Sequence, residues 1–315
     1  MKQRLITGAM IFAILVLVVF ARNLSTYIFD AFVLTLAVLG AFEMTKLLAK
    51  SNYYNNKYVA IGYPIIAYAI YIFSILVDMK WYMVLLMELS FLIVAIGLLA
   101  VWGIVNTKGT RNEIATRNLK IKTDTFSIYK ALHTMFACVY PTLLILAFVV
   151  LNNLESLHYL YNVTFEHLAY LSTFAIVLTL IIPIFADTFA YLTGSIFKGK
   201  KLCPKISPNK TISGAIGGTI WAMLGALLLF VIFDAMTPYN DMFTTLGIEF
   251  WHLLVVGFVG AVACILGDIF ESYLKRKADV KDSGNLLPGH GGILDRIDSH
   301  LFCAPVVMIF ILIIL

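Results

Sequence analysis

Apolar runs of about membrane thickness alternate with short polar connections along this chain. Nine runs stand out, at about 5–21, 25–48, 58–78, 81–105, 128–151, 167–196, 212–235, 250–274 and 299–315. A helix needs roughly 20 apolar residues to cross a hydrocarbon core about 30 Å thick. Helices are the expected form, because a spanning segment must satisfy its own backbone hydrogen bonds. The pattern predicts an all-α, polytopic integral membrane protein with about nine transmembrane helices.

Composition supports this class. The 315 residues are 61% hydrophobic and 13% charged, where a soluble domain carries about 25% charge. Nothing here predicts a nucleic-acid partner. All of the 23 Lys and Arg except Arg22 and Lys80 fall on one side of a nine-span alternation. The positive-inside bias then places the N-terminus and every basic loop in the cytoplasm, and the C-terminus outside. Lys2 and Arg4 before the first run resemble a signal peptide, but no small-residue cleavage pattern follows, so a retained first helix is expected. Cys138, Cys203, Cys264 and Cys303 are scattered, which gives neither a disulfide framework nor a zinc motif.

Polar residues in the first half read as structural. Glu43 precedes Lys46 by three positions and reads as half of a helix-end ion pair at the interface. Asp30 reads as water-exposed at the outer end of span two. The basic stretch Asn106–Phe126 suits anionic headgroups, and plain positive-inside bias explains it equally. The sequon Asn162-Val163-Thr164 has no supporting signal.

The second half changes character. In span six Asp187, Tyr191 and Gly194 share one helical face after Pro183. A carboxylate within an apolar span is costly and by default functional, although a wet helix end is the alternative. Residues 198–218 then bring five lysines, with Ser207, Lys210 and Thr211 just before span seven. Free amides at a helix N-terminus beside Lys210 suit a polyphosphate, or the stretch is simply a basic interfacial loop. Span eight ends with Asp268, Glu271, Ser272 and Lys275 as a polar stripe. Beyond it come Lys281-Asp282, the turn Pro288-Gly289-His290-Gly291-Gly292, and Asp295-Arg296-Ile297-Asp298. Carboxylates flanking a glycine-rich turn suit a hard cation such as Mg2+ with substrate phosphates. The competing reading is a set of Asp–Lys and Asp–Arg pairs that fix a loop.

From Ser272 to Asp298 the chain resembles, without a gap, the signature of the phosphatidate cytidylyltransferases. The residues that carry it are Ser272, Leu274-Lys275-Arg276, Lys281-Asp282, Gly284, Leu287-Pro288, His290-Gly291-Gly292-Ile293 and Asp295-Arg296-Ile297-Asp298. Upstream, Asp187-x2-Ala190-Tyr191-x2-Gly194, Ile206-Ser207-Pro208-x-Lys210-Thr211 and Gly267-Asp268-x2-Glu271-Ser272 resemble further family elements in the same order. The chain departs from the usual pattern at Ser213 before Gly214 and in Phe197-Lys198-Gly199-Lys200.

The resemblance implies transfer of CMP from CTP to phosphatidic acid, giving CDP-diacylglycerol and pyrophosphate in phospholipid biosynthesis. It also implies Mg2+ dependence through a di-metal centre, the second cation being one such as K+, and a homodimer in the bacterial inner membrane with its active site facing the cytoplasm. Asp268 and Asp295 map to the metal ligands, and Lys275, Lys281 and Asp282 complete the expected catalytic set. Asp187, Ser207, Lys210, Thr211, Ser272, Arg276, His290, Arg296 and Asp298 are the expected substrate contacts. Residues 1–151 are then a framework, and 152–315 a catalytic region with cytoplasmic loops 197–211 and 275–298. A CTP-dependent polyprenol or lipid kinase is the nearest alternative. An ion or lipid transporter would use Asp187 and Asp268 as a cation path, but leaves the Gly-His-Gly-Gly turn without a role.

Overall fold

The structure, a computed structural model, describes every residue except 1, 78, 80, 118, 158–162, 238, 240 and 241. Lys80 and Asn162 of the sequon therefore lie outside the described residues. Helices α1 (Lys2–Ala21), α2 (Thr26–Lys50), α3 (Lys57–Leu76) and α4 (Trp81–Val105) come first, followed by the short α5 (Thr107–Thr116). Then come α6 (Thr123–Ala137), α7 (Ala147–Asn152) and α8 (Phe165–Phe197). A hairpin, β1 (Lys201–Cys203) and β2 (Ser207–Thr211), leads into α9 (Ile212–Met236), α10 (Phe250–Lys277) and α11 (Leu294–Ile314). Among the described residues eight segments are long and apolar enough to cross a membrane, and α1 adds a shorter apolar stretch, Ile6–Ala21. The protein is an all-α, multi-pass membrane protein. Its outward side chains are apolar, as in Leu98, Trp102, Ile220 and Leu228, which is the surface hydrocarbon requires.

Three features differ from the sequence expectation. The fifth span is not one straight helix. Tyr140 takes a non-helical conformation (φ −108°, ψ 114°) before Pro141, and a π-turn, Cys138–Leu143, joins α6 to the α7 segment. Proline has no backbone donor and clashes with the preceding turn, so the helix breaks there. The polar stretch after span four is not all loop, because α5 forms on it, capped by the Asn106 side chain. Finally, α11 begins at Leu294 rather than near 299, so Asp295, Arg296 and Asp298 sit on its first turns instead of in a loop.

Close helix crossings aim the polar residues. A Cβ placed on Gly267 of α10 would come within 2.6 Å of the Asp298 carbonyl oxygen. Only glycine lets α10 and α11 approach so closely, and that approach brings Asp268 beside the start of α11. On α8, Ala186, Ala190 and Gly194 meet Gly214 and Gly218 of α9, a small-residue stripe of the kind that lets membrane helices touch backbone to backbone.

The first half holds a buried polar knot. Arg22 Nε donates to Asn152 Oδ1 at 2.7 Å, and its Nη2 pairs with Glu155 at 3.1 Å. Asn152 and Asn153 donate to Asp30 at 2.8 and 3.1 Å, and Tyr68 Oη donates to it at 3.1 Å. Asp30 is therefore fully buried, not water-exposed as its position suggested. Burial lowers the Arg22 guanidinium from its usual range and raises the Glu155 carboxyl, and each partly offsets the shift of the other. A buried charge persists only when paired and hydrogen-bonded. The knot meets both conditions, and it ties the end of α1 to α2 and the 152–155 turn.

Candidate active site

One face of α10 carries the predicted stripe. Lys275 Nζ lies between Glu271 Oε2 at 2.8 Å and Asp295 Oδ1 at 2.7 Å, which links α10 to α11. One turn earlier, Asp268 Oδ2 pairs with Lys210 Nζ at 2.5 Å, and Ser272 Oγ donates to Asp268 Oδ1 at 3.3 Å. Lys210 reaches this point because the β1–β2 hairpin folds back over α10. A two-stranded hairpin is marginal on its own. Here the Lys210 contact and the Arg276 Nε bond to the Ile206 carbonyl, at 3.3 Å, tether it.

From α8, Asp187 Oδ2 accepts from Ser299 Oγ at 3.2 Å, and Asp298 accepts from the Ser299 amide at 2.8 Å. Asp187, Asp268 and Asp298 lie near enough to repel one another, and Asp298 also approaches Glu271. Five carboxylates, those of Asp187, Asp268, Glu271, Asp295 and Asp298, thus share two lysines, Lys210 and Lys275. Glu271 is wholly buried, and its Oε1 has no donor among the described residues.

The glycine-rich turn is built on two carboxylates. Asp295 Oδ2 accepts from the Ser283 amide at 2.8 Å, the Ser283 hydroxyl at 2.9 Å and the Gly292 amide at 2.8 Å. The second carboxylate belongs to Glu43, far away on α2. It accepts from the Leu294 amide at 2.8 Å and the Ile293 amide at 3.1 Å, and its Oε2 lies 3.2 Å from Ser283 Oγ, whose one proton serves either Asp295 or Glu43. The two amides stand at the α11 N-terminus, where amides lack intrahelical partners and negative charge is favoured. The expected Glu43–Lys46 ion pair is absent among the described residues. Lys46 Nζ instead lies 4.0 Å above the Phe42 ring, while Glu43 is only 4% exposed. A Cβ on Gly292 would collide with the Glu43 carboxylate, so glycine is required there.

Beside the turn, a cleft of about 630 Å³ is lined by Lys281, Asp282, His290, Gly291 and Arg296, among others. Arg296 Nε donates to the His290 carbonyl at 3.0 Å. Gly291 has φ +82°, a conformation few side chains tolerate. Thr7 Oγ1 of α1 donates to the Pro288 carbonyl at 3.1 Å.

The sequence-predicted residues therefore fall into two adjoining groups. Asp187, Lys210, Asp268, Ser272, Lys275, Asp295 and Asp298 form the carboxylate–lysine cluster. Lys281, Asp282, His290 and Arg296 line the cleft. Arg276 and Ser207 sit on or against the hairpin. Thr211 accepts from the Gly214 amide at 3.1 Å and caps α9. Tyr191, on the face expected for Asp187, is 77% exposed and points away. Residues beyond the expected set are Glu43, Ser283, Ser299 and Glu271, the last of which belonged to the predicted stripe but to no expected role. Glu43 carried the same signal as Asp187, a carboxylate in an apolar run, but the nearby Lys46 offered a local partner that hid it.

Among the described residues no three His, Cys, Asp or Glu side chains form a ready-made metal cage. The donor chemistry nevertheless fits a hard cation. All the donors are carboxylate oxygens, their charge exceeds that of the two lysines, and Glu271 Oε1 is unpaired. Like charges 4 Å apart repel by about 4 kcal/mol at an effective dielectric near 20, so a bound cation would relieve the cluster. Asp295 Oδ2 is held by two amides and shares the Ser283 hydroxyl with Glu43, whereas among the described residues its Oδ1 meets only Lys275.

The chain is similar to several proteins named phosphatidate cytidylyltransferase. One from Rickettsia typhi is 46% identical over 120 residues, 38% of this chain and 50% of that protein. One from Staphylococcus saprophyticus is 38% identical over 154 residues, 49% and 53% of the two chains. One from Bacillus subtilis is 44% identical over 119 residues, 38% and 40%. The matched stretch spans about half the length of the first of these relatives, or less. Family membership rests on wider coverage. The pattern of the cytidylyltransferase family matches residues 2–314, running through the α2 carboxylate, the hairpin and both clusters, and so the chain belongs to that family.

Proposed function

We propose that the protein is a phosphatidate cytidylyltransferase, joining CTP and phosphatidic acid into CDP-diacylglycerol and releasing pyrophosphate. The observation that carries this reading is the pairing of a surplus-carboxylate cluster with lysines from two elements, Lys210 of the hairpin and Lys275 of α10, beside a cationic cleft. The names of the relatives support the same substrate class.

The chemistry needs little from a general base. The phosphate monoester of phosphatidic acid is already an anion at neutral pH. One of its oxygens attacks the α-phosphorus of CTP, a new P–O–P bridge forms, and the α–β bridging bond breaks to release pyrophosphate. Such a step needs neutralised repulsion, alignment and a stabilised leaving group. Lys281 and Arg296 supply cleft-lining cations, Lys210 and Arg276 supply cations from the hairpin side, and Lys275 stays clamped between Glu271 and Asp295. Asp268 and Asp295, with Asp187, Asp298 and Glu271 around them, would hold Mg2+ and a second cation such as K+. Bound there, these cations would screen the phosphates and polarise the phosphoryl oxygens. Glu43 and Asp295 hold the His290–Gly292 turn rigid from two sides, so its amides and Arg296 stay aligned. The active face lies in the cytoplasm of a bacterial inner membrane, where CTP is available, and the protein works as a homodimer.

The test follows CTP labelled at the α and γ positions with phosphatidic acid and Mg2+. The α label entering lipid while the γ label leaves as pyrophosphate supports the reading. Entry of the γ label into lipid makes the protein a kinase. Movement of neither label removes the enzyme reading and revives a transporter.

A further inference from the structure

An apolar groove of about 220 Å³ runs between α1, α2 and α11, walled by residues such as Ile14, Val18, Phe32, Leu36 and Ile297. It lies on the opposite side of α11 from the carboxylate cluster. Asp295 and Ser299 turn toward α10 and α8, whereas Arg296, Ile297 and His300 border the groove. At one end it adjoins the polar cleft, with Leu287 and Arg296 lining both spaces.

The dimensions select the occupant. From Ile293 to Leu301 the α11 wall is about 12 Å long at 1.5 Å per residue. One leaflet of a bilayer core is about 15 Å deep, so the groove runs most of a leaflet. A helix of a second copy, about 10 Å across, is too wide for such a volume, which matches the upper part of a single acyl chain. The polar groups follow the order of a glycerophospholipid. Lys281 and Arg296 stand at the mouth, and His300 follows one helical turn deeper, about 6 Å away. His300 Nδ1 is buried with no hydrogen-bond partner among the described residues, and the His300 side chain lines an otherwise apolar space.

We propose that this groove seats one acyl chain of the phosphatidic acid substrate. Its phosphate monoester lies in the Lys281–Arg296 cleft, and an ester carbonyl accepts from His300 Nδ1–H. The assignment rests on the cytidylyltransferase reading above and divides that site. The lipid approaches from the α1–α2 side, and CTP takes the hairpin side, near Lys210 and Arg276.

The test uses the full chain in phosphatidylcholine nanodiscs with phosphatidic acid carrying a mid-chain diazirine. After illumination, adducts are mapped by peptide mass spectrometry. Adducts are expected within residues 11–19 and 29–36, displaced by excess phosphatidic acid. Adducts confined to other helices overturn the proposal, as does equal labelling of these residues by diazirine-bearing phosphatidylcholine or phosphatidylglycerol. Leu36→Trp, which fills the groove, is expected to raise the KM for dioleoyl phosphatidic acid about tenfold, with the KM for CTP and for a dihexanoyl substrate unchanged. An unchanged dioleoyl KM in this variant also overturns the groove. Cross-linking needs no turnover, so the two readings fail separately. Labelling without α-label transfer sinks the enzyme reading, and transfer without labelling sinks the groove.

Discussion

Two buried polar assemblies sit in this protein, and they differ in saturation. Around Arg22 one guanidinium faces two carboxylates, Glu155 and Asp30, and the asparagines and Tyr68 fill the bonds of Asp30. Around Asp268 five carboxylates share two lysines, and Glu271 Oε1 is left without a donor. Both assemblies interrupt apolar helices, so the cost of a charge in hydrocarbon does not separate them. Completeness does. A saturated network has no capacity left for a ligand and reads as a clamp between helices. An unsaturated one keeps charge and lone pairs for something that is not part of the chain.

That contrast is open to direct attack. The largest effect is expected from Arg22→Ala, which takes the cation from Glu155 and Asp30 and a donor from the carbonyl of Asn152. Breaking a buried pair from one side costs about 3–5 kcal/mol. Denaturation of the purified variant in detergent measures this, and the fraction that folds should keep a near-normal KM for CTP. A large change in KM with little loss of stability would mean that the outer knot belongs to the site.

Asp268→Asn should behave in the opposite way. It removes a charge from a cluster with a surplus, so the fold should survive while transfer falls by about 10²–10³-fold, the usual scale for losing one electrostatic contributor. Mg2+ should raise the melting temperature of the wild type and leave that of this variant unchanged. An unchanged Mg2+ response would remove Asp268 from the metal site.

Glu43→Gln tests whether a clamp can serve a site. The amide keeps one acceptor and swaps the other for a donor facing the α11 amides. About 1–3 kcal/mol of stability should be lost, the cost of an unsatisfied buried group. Transfer should drop about tenfold, through misalignment of the His290–Gly292 turn. Hydrogen exchange at residues 283–294 would rise if the turn loosens, and no change there would reduce Glu43 to a packing residue.

Thr211→Val removes the α9 cap and should cost about 1 kcal/mol, with the hairpin less firmly placed and the KM for CTP modestly raised. Lys46→Ala is the smallest expected change, within about 1 kcal/mol, because its main contact is a cation lying over an exposed ring. A double-mutant cycle between Glu43 and Lys46 should give a coupling near zero. A coupling above 1 kcal/mol would restore the ion pair that their spacing suggested.

The apolar pattern determined much of this architecture, because hydrocarbon admits only segments that satisfy their own backbones. Helices α8, α9 and α10 begin and end within a few residues of their apolar runs. The stripe Asp268, Glu271, Ser272 and Lys275 was also legible, since one helix sets the facing of its own residues. Contacts between elements were not legible. Nothing near Glu43 in the chain points to Ile293 and Leu294, some 250 residues away. Lys46, three positions on, supplied a plausible local partner. Asp30 looked wet because its asparagines lie on a different helix. The start of α11 depends on the Glu43 carboxylate that receives its free amides, and the hairpin depends on Lys210 reaching Asp268. Local periodicity and motif chemistry follow from covalent order. Which buried charges become saturated, and which remain available, follows from how close Gly267 lets two helices come and which distant carboxylate meets which amide. Only the tertiary structure decides those meetings.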